Sequence, residues 1–252
     1  MQLSSGGTAY LSAIQELLPA VAERNRTAIA AAAGLIADAV GAGGVVQAFG
    51  TGHSEAFAME VAGRAGGLVP TNRLTLRDPV LLGAEPPEFL KDPALERDPG
   101  VIARLLELAP LQPGDLFMIA SNSGVNGAVV ELALRVRERG HPVIAVTSIE
   151  HTTAVTPKHP SGRRLAEIAD VVLDNGAPYG DAVLPLPGGG SMSGVSSITS
   201  ALLAQMAVAD AVRVLIDRSV VPPVYLSANV PGGDEHNAVL EARYPGRLRR
   251  IP

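Results

Sequence analysis

Two polar turns, each placed where an apolar strand is expected to end, carry the residues with the chemistry of a binding site. The first is GTGHS at residues 50–54, and the second is SNSGVN at residues 121–126. Hydroxyl and amide groups donate hydrogen bonds, and glycine lets a backbone approach a ligand closely. Both turns are therefore candidates for holding a small polar or anionic molecule.

The second turn has the composition of a lysine-free phosphate cradle. Ser121 and Ser123 offer hydroxyl donors, Asn126 offers an amide, and Gly124 allows close approach of a ligand. The helix expected from residue 125 adds free N–H groups and a partial positive charge at its start. Such a set suits a phosphomonoester. The alternative is an ordinary helix N-cap, for which one serine is enough, and the residues alone leave both alternatives open.

The first turn is a glycine turn that matches neither common nucleotide motif. It begins like the dinucleotide fingerprint G-x-G-x-x-G, but Glu55 stands where the third glycine is required. A Walker loop needs a lysine, which this turn lacks. His53 lies inside the turn, and we predict that it contacts substrate or transfers a proton. Glu55 is expected to stabilise the start of the next helix.

Alternating strands and helices must position these turns. The sequence predicts strands at residues 45–49, 68–71, 116–120, 143–147 and 171–173, and helices at 8–41 (with a break near Pro19), 55–65, 102–109, 125–139, 164–169 and 195–217. This order predicts βαβ units in a parallel sheet with helices on both faces. Ligands of such sheets bind beyond the carboxyl ends of the strands, where both turns stand.

Two internal segments and the C-terminal extension fall outside this alternation. Residues 72–100 carry several prolines among acidic residues and predict an irregular, partly helical excursion that is either an active-site lid or a surface insertion. Residues 175–194 are a glycine- and proline-rich loop. We expect one domain over residues 1–252, with an N-terminal helical segment at 1–34, a core at about 35–217 and a C-terminal extension at 218–252.

The composition argues against several classes of protein. The 252 residues include no cysteine, which excludes disulfides, thiolate metal sites and a cysteine nucleophile and is typical of a cytoplasmic protein. No apolar run reaches about 18–20 residues, so we expect no membrane span. A net charge of −5 and only 3% aromatic residues argue against a nucleic-acid surface. No metal-ligand spacing is present, and we expect neither a metal nor a cofactor.

The second turn resembles the phosphate-binding turn of SIS (sugar isomerase) domains. In that family a Ser-x-Ser-Gly-x-Thr turn follows a strand and holds the phosphate of a phosphosugar. Ser121, Ser123 and Gly124 match this pattern, and Asn126 stands where threonine is usual. The resemblance implies that these residues, together with Asn122, bind the phosphosugar.

The first turn and the tail extend the resemblance. GTGHS resembles the Gly-x-Gly-x-Ser turn that follows the first strand of SIS domains, which implies ligand contacts for Gly52 and Ser54. SANVPGGDEHN at residues 227–237 resembles the tail of stand-alone SIS proteins of the UPF0309 type. In related SIS domains the start of the helix corresponding to residues 195–217 helps to bind substrate, which implies a contact for Ser196. An ordinary N-cap is the alternative for Ser196.

The resemblance also implies a reaction. We expect a cytoplasmic homodimer with the flavodoxin-like, doubly wound α/β fold of SIS domains and with its sites near the interface. It would remove the C2 proton of an open-chain (N-acetyl)hexosamine 6-phosphate. By analogy with N-acetylmuramic acid 6-phosphate etherase, the leading reaction is an elimination, catalysed by a lyase or dehydratase. An aldose–ketose isomerase and a non-catalytic phosphosugar sensor are the alternatives.

Four residues are candidates for the chemistry: Glu60, His53, His236 and Glu235. The context Met-Glu-Val-Ala-Gly-Arg around Glu60 resembles the helix that carries the catalytic glutamate of phosphoheptose isomerases. Counted without gaps, however, the family's glutamate falls on Arg64, so Glu60 is either the base or the partner of Arg64 in an i,i+4 salt bridge. The resemblance of the tail implies a site role for Glu235 and His236.

Overall fold

A five-stranded parallel sheet forms the centre of the protein. In the computed structural model, which describes residues 6–250, its strands are β1 (Val46–Gly50), β2 (Thr71–Leu74), β3 (Leu116–Ala120), β4 (Val143–Thr147) and β5 (Val171–Asp174). Their order is β2-β1-β3-β4-β5, and all neighbours are parallel. This is the flavodoxin order, with its switch point between β1 and β3. The predicted α/β fold is confirmed.

Helices cover both faces of the sheet. They are α1 (Gly6–Arg24), α2 (Arg26–Gly41), α3 (Glu55–Val61), α4 (Asp78–Leu81), α5 (Val101–Leu108), α6 (Gly127–Glu138), α7 (Ile149–Ala154), α8 (Ser196–Asp217) and α9 (Gly233–Glu241). Apolar side chains of α2, α3 and α8 pack on one face, and those of α5 and α6 pack on the other. An antiparallel hairpin of β6 (Ala182–Pro185) and β7 (Ser191–Gly194) lies outside the main sheet.

The central strands send side chains alternately into two apolar layers. On β3, Leu116 and Met118 face the layer of α2 and α8, whereas Phe117 and Ile119 face the layer of α5 and α6. All four are fully buried. Because both faces of the sheet are covered, the strand is an unbroken apolar run rather than an alternating one.

Helix α8 owes its apolar composition to this core. By length and composition its 22 residues could cross a membrane, which makes it the one such helix in the described chain. Asp210 and Arg213 interrupt its apolar sequence. The buried residues of α8, such as Leu203 and Leu215, lie in the layer that α2 shares, so packing against α2 accounts for its hydropathy.

Some element boundaries differ from the prediction. Helix α1 runs through Pro19, and the break falls instead at Asn25, whose amide donates to the carbonyls of Val21 and Asp174 at 2.8 Å each. The first five and last two residues of the predicted terminal segments lie outside the described residues. Strand β2 begins three residues later than predicted because Leu68 pairs antiparallel with Val224 of the C-terminal extension.

The irregular segments contain more structure than the sequence indicates. Residues 72–100 hold the end of β2, helix α4 and two 3₁₀ turns at Pro87–Lys91 and Leu95–Arg97, so the partly helical excursion is observed. The hairpin of β6 and β7 occupies the predicted loop at 175–194, and α9 lies in the extension. A lid function for residues 72–100 stays a prediction.

Candidate phosphosugar site

The two polar turns lie side by side at one edge of the sheet. Gly50, the last residue of β1, is the register partner of Ala120, the last residue of β3. Adjacent strands are about 4.8 Å apart, so the turns at residues 50–54 and 121–126 begin as neighbours. They stand at the switch point of the sheet, where ligands of this fold class bind.

The first three polar side chains of the second turn differ in their contacts with the described residues: two are hydrogen-bonded within the protein and one is free to bind a ligand. Ser121 Oγ accepts a hydrogen bond of 3.1 Å from the N–H of Gly124 and so shapes the turn. Asn122 Oδ1 accepts one of 3.0 Å from the amide of Asn175. The half-buried hydroxyl of Ser123 has no hydrogen-bond partner within the described chain, which leaves it free to donate to a ligand.

Gly124 is required by the protein beneath the turn. Its φ of +62° lies in the left-handed region that favours glycine. A Cβ on Gly124 would lie 3.0 Å from Thr147 Oγ1 and 3.1 Å from Thr152 Oγ1. The sequence predicts that a ligand approaches this glycine closely. The structure adds a second reason for glycine, since a side chain would collide with the two threonines beneath the turn.

The start of α6 supplies the positive end of a helix dipole. Asn126 is the N-cap residue, but its side chain makes no capping hydrogen bond. The first N–H groups of α6 therefore keep the hydrogen-bonding capacity and partial positive charge that bind anions. The Asn126 amide points elsewhere and donates to Glu96 Oε1 at 3.2 Å.

Glu96 is a functional candidate that sequence reasoning missed. It lies in the 3₁₀ turn at Leu95–Arg97, and its carboxylate is half-buried. One carboxylate oxygen accepts from Asn126, and the other lies 3.5 Å from the position that a Cβ on Gly52 would take. The carboxylate therefore stands between the two turns. The only available signal was an acidic residue inside a segment with the length of a lid.

The start of α6 holds the segment that carries Glu96. A Cβ on Gly127 would lie 2.0 Å from the carbonyl oxygen of Arg97. Any larger residue at Gly127 would therefore displace the chain around residues 96–99. This contact fixes the carboxylate of Glu96 relative to the second turn.

The first turn faces the start of α8 across a small cavity. The cavity is lined by His53, Ser54, Phe57, Ser196, Ser197 and Ser200. The side chains of His53 and Ser54 make no hydrogen bond to another residue in the range 6–250. The amide of Asn175 lies 3.5 Å from Ser200 Oγ as well as 3.0 Å from Asn122 Oδ1, so this cavity and the second turn are connected.

Ser196 lines this cavity, but its hydroxyl is already hydrogen-bonded within the protein. Its hydroxyl donates to Asp181 Oδ2 at 2.7 Å, and its N–H donates to Asp181 Oδ1 at 2.8 Å. Asp181 thus satisfies the first N–H groups of α8 from outside the helix. Ser196 is thus the first residue of α8 and not its cap, and its contact with a ligand stays a prediction.

Glu60 is held by neighbours outside the two turns. Its carboxylate forms an ion pair with Arg64 and accepts a 2.7 Å hydrogen bond from Gln205 of α8. The i,i+4 salt bridge is therefore present, and among described contacts none joins Glu60 to the turns. Glu55 likewise pairs with Arg77. A role of Glu60 as the base stays a prediction without a supporting contact.

The structure separates Glu235 and His236 from both turns of their own chain. His236 Nε2 lies 3.1 Å from the carbonyl oxygen of Val224, which pairs with Leu68 ahead of β2. Both candidates therefore lie toward the amino-terminal edge of the sheet, opposite the turns. The reason is that the extension docks through Tyr225, Leu240 and Tyr244 onto Val45 and Val69, which precede the strands.

Comparison with known proteins assigns the chain to a family. A family model described as SIS domain matches residues 9–148. A UPF0309 protein of Listeria monocytogenes is 36% identical over 246 residues, which is 96% of this chain and 98% of the relative. A UPF0309 protein of Halalkalibacterium halodurans is 39% identical over 236 residues, or 93% of this chain and 96% of the relative.

Solved structures share the fold at low sequence identity. A phosphoheptose isomerase from Francisella tularensis superposes with a TM-score of 0.54 at 15% identity, covering 81% of this chain and 95% of that one. The Vibrio vulnificus NanR protein complexed with ManNAc-6P gives a TM-score of 0.50 at 15% identity, covering 86% of this chain and 66% of that one. By sequence match and fold, the chain belongs to the SIS-domain family, within its UPF0309 group.

Proposed function

We propose that this protein is an aldose–ketose isomerase that binds a phosphosugar at the two turns and moves its C2 proton. The observation that carries the proposal is the position of Glu96. Its carboxylate lies between Asn126 and Gly52, beside the uncapped start of α6. A single carboxylate next to an anion-binding turn is the minimum that this chemistry needs.

The phosphate would be held by the second turn and the start of α6. Ser123 would donate its hydroxyl, and the first N–H groups of α6 would add backbone donors and the positive end of the helix dipole. Ser121 would act indirectly, because its oxygen already accepts from Gly124. This division of roles explains why two serines are present where a helix cap requires one.

The proton would be moved by Glu96. Its carboxylate removes the proton from C2 of the open-chain aldose, the electron pair forms an enediolate, and the same carboxyl group returns the proton to C1. His53, exposed in the first turn, would shuttle the proton between the C1 and C2 oxygens.

Elimination, the reaction favoured from the sequence, has weaker support. Expulsion of the C3 substituent needs a general acid in addition to the base. Glu60 is engaged by Arg64 and Gln205 and has no described contact with the turns. Isomerisation uses one carboxyl group to remove the proton from C2 and return it to C1, so the carboxylate that Glu96 places between the turns is sufficient for it.

The predicted assembly and location are part of the same proposal. We infer a cytoplasmic homodimer whose sites lie near the interface. Met192 and Ile198 are 45% and 40% exposed, and both are close in sequence to the start of α8, which borders the small cavity. A partner copy covering these apolar side chains would close the site from that side.

A screen of sugar phosphates in deuterated water tests the function. Hexose and heptose phosphates and hexosamine 6-phosphates with and without the N-acetyl group would be followed by proton NMR. We expect one sugar with a free C2 hydroxyl to form the ketose with solvent deuterium at its C1, while the recovered aldose carries deuterium at C2. Loss of the C3 substituent would show that the protein is a lyase or dehydratase instead. Binding without exchange would show that it is a non-catalytic sensor. Absence of thermal stabilisation by any sugar phosphate would overturn phosphosugar binding itself.

A further inference from the structure

A second cavity, of about 430 Å³, lies beside β2, the edge strand of the sheet. Its volume falls in the range of small-molecule sites. Its lining comes from α3, β2, α4 and the end of the chain: Met59, Arg73, Thr75, Arg77, Asp78, Leu81 and Arg249. We call it the arginine cavity, because three of its seven lining residues are arginines on an otherwise acidic protein of net charge −5.

The arginines of this cavity are not fully neutralised. Arg249 pairs with Asp78 at 3.0 Å, and Arg77 pairs with Glu55. Arg73 is half-buried and makes neither a hydrogen bond nor an ion pair with any described residue. Three guanidinium groups therefore face two carboxylates, and the charge of Arg73 is left for a ligand.

The alternation of side chains along β2 places Arg73 on the side of the sheet that faces the arginine cavity. Its neighbour Leu74 lies in the apolar layer of α5 and α6. Successive side chains of a strand point to opposite faces, so Arg73 points to the face of α3, where Met59 stands. Met59 and Leu81 are 55% and 56% exposed, and they give the cavity apolar walls beside its cations.

This combination fits a small organic anion. Guanidinium groups bind phosphate and carboxylate oxygens through paired N–H donors. Thr75 adds a hydroxyl near the same cavity, although that hydroxyl donates to Asp78 at 2.8 Å. Met59 and Leu81 would contact the carbon skeleton of the ligand. A concave site of this size excludes a duplex or a flat protein surface as its natural occupant.

We propose that the arginine cavity is a second anion site, distinct from the phosphate-binding turn, for a small molecule bearing a phosphate or carboxylate group. The two sites are separated by β1, which lies between β2 and β3 in the sheet. Two strand spacings correspond to about 10 Å. One contact leads from the cavity to the first turn, because Glu55, which follows Ser54, pairs with Arg77.

Titration calorimetry on the full chain tests this site with inorganic phosphate and with citrate as probes. The background is the double variant Ser121→Ala with Ser123→Ala, which weakens the phosphate-binding turn. In that background we expect at least one probe to bind, and Arg73→Gln to weaken it about tenfold or more. The matched control is Arg139→Gln, which removes the same charge from an exposed residue at the end of α6.

The outcomes separate the ligand classes and the two sites. Loss of phosphate affinity alone in Arg73→Gln assigns a phosphorylated ligand, and loss of citrate affinity alone assigns a carboxylate. Equal affinities in Arg73→Gln and Arg139→Gln, or no binding of either probe at millimolar concentration, would overturn the second site. Neither result would alter the sugar phosphate screen, so this inference and the isomerase proposal fail independently. Melting temperatures without anion verify that both variants fold.

Discussion

The two edges of the sheet are both rich in polar side chains, but they use them differently. At the amino-terminal edge, buried Asp115 accepts from the N–H of Val45 at 2.9 Å and from the Gln47 amide at 3.1 Å. It also forms an ion pair with Arg247 of the extension. At the carboxyl-terminal edge, the side chains of Ser123 and His53 have no hydrogen-bond partner inside the range 6–250.

This difference separates polar groups that build the fold from polar groups that serve a ligand. Buried polar atoms are almost always hydrogen-bonded, since leaving one unpaired costs about 1–3 kcal/mol. A half-buried donor without a protein partner can bind water until a ligand replaces it. We therefore expect substitutions at the amino-terminal edge to change stability and those at the carboxyl-terminal edge to change binding or turnover.

Glu96→Gln should give the largest effect at the carboxyl-terminal edge. Removal of a general base lowers turnover by about 10²–10⁴-fold, whereas the amide still accepts from Asn126. We expect C2 deuterium exchange to fall by this factor, with KM and the urea midpoint little changed. The matched control is Glu88→Gln, which alters an exposed carboxylate of the same excursion. Full exchange in Glu96→Gln would place the base elsewhere, with Glu60 and His53 next to test.

Asp115→Ala should give the largest effect at the amino-terminal edge. The substitution leaves Arg247, only 11% exposed, without its carboxylate. Breaking a buried ion pair costs about 3–5 kcal/mol, and urea unfolding would measure the loss. Asp217→Ala is the control, because its pair with Arg213 is exposed and contributes at most about 1 kcal/mol. If Asp115→Ala kept wild-type stability, the contrast between the two edges would be wrong.

The two serines of the second turn offer a sharper contrast within one edge. Ser123→Ala should weaken sugar phosphate binding by about 10–100-fold, the cost of one hydrogen bond to a charged acceptor, and leave stability unchanged. Ser121→Ala should lower stability by about 1 kcal/mol, because the N–H of Gly124 loses its acceptor. Calorimetric titration and urea unfolding would measure these effects. Wild-type affinity in Ser123→Ala would favour the helix-cap alternative for the turn.

The same contrast explains what could be predicted from the sequence. The succession of strands and helices along the chain and both turns follow from local patterns: apolar runs that end in glycine and serine, each followed by a helical period. The similarity of the second turn to the SIS turn can be recognised from the residue types of Ser121, Ser123 and Gly124 alone, without knowledge of their tertiary contacts. Parallel pairing then brings the two turns together at the switch point without further information.

What was missed depends on contacts between distant segments. Glu96 reaches the site because its turn packs on Gly127, about thirty residues later in the chain. Helix α9 forms over a polar sequence that follows two glycines because its own Leu240 packs in a cluster with Val45 and Val69. Strand β2 includes buried Asn72, whose amide finds Gln47 at 3.2 Å and the carbonyl of Arg247 at 2.8 Å. No local pattern signals a polar strand of this kind.

The smallest expected effect concerns Glu131 on α6, whose carboxylate is hydrogen-bonded within the protein and so belongs with the groups that stabilise the fold. Burial raises its pKa, but hydrogen bonds from Arg135 and His159 outweigh burial and hold the pKa below its ordinary value of 4.5. Because the unfolded chain binds the proton more readily, this stabilisation is present above pH 4.5 and is lost as pH falls through the folded-state pKa. Glu131→Gln should therefore be less stable than wild type at pH 7, and the gap should narrow below pH 4.5. Urea midpoints at pH 7, 5.5 and 3.5 would measure it, and a gap that stays constant with pH would show that the carboxylate charge contributes nothing to the fold.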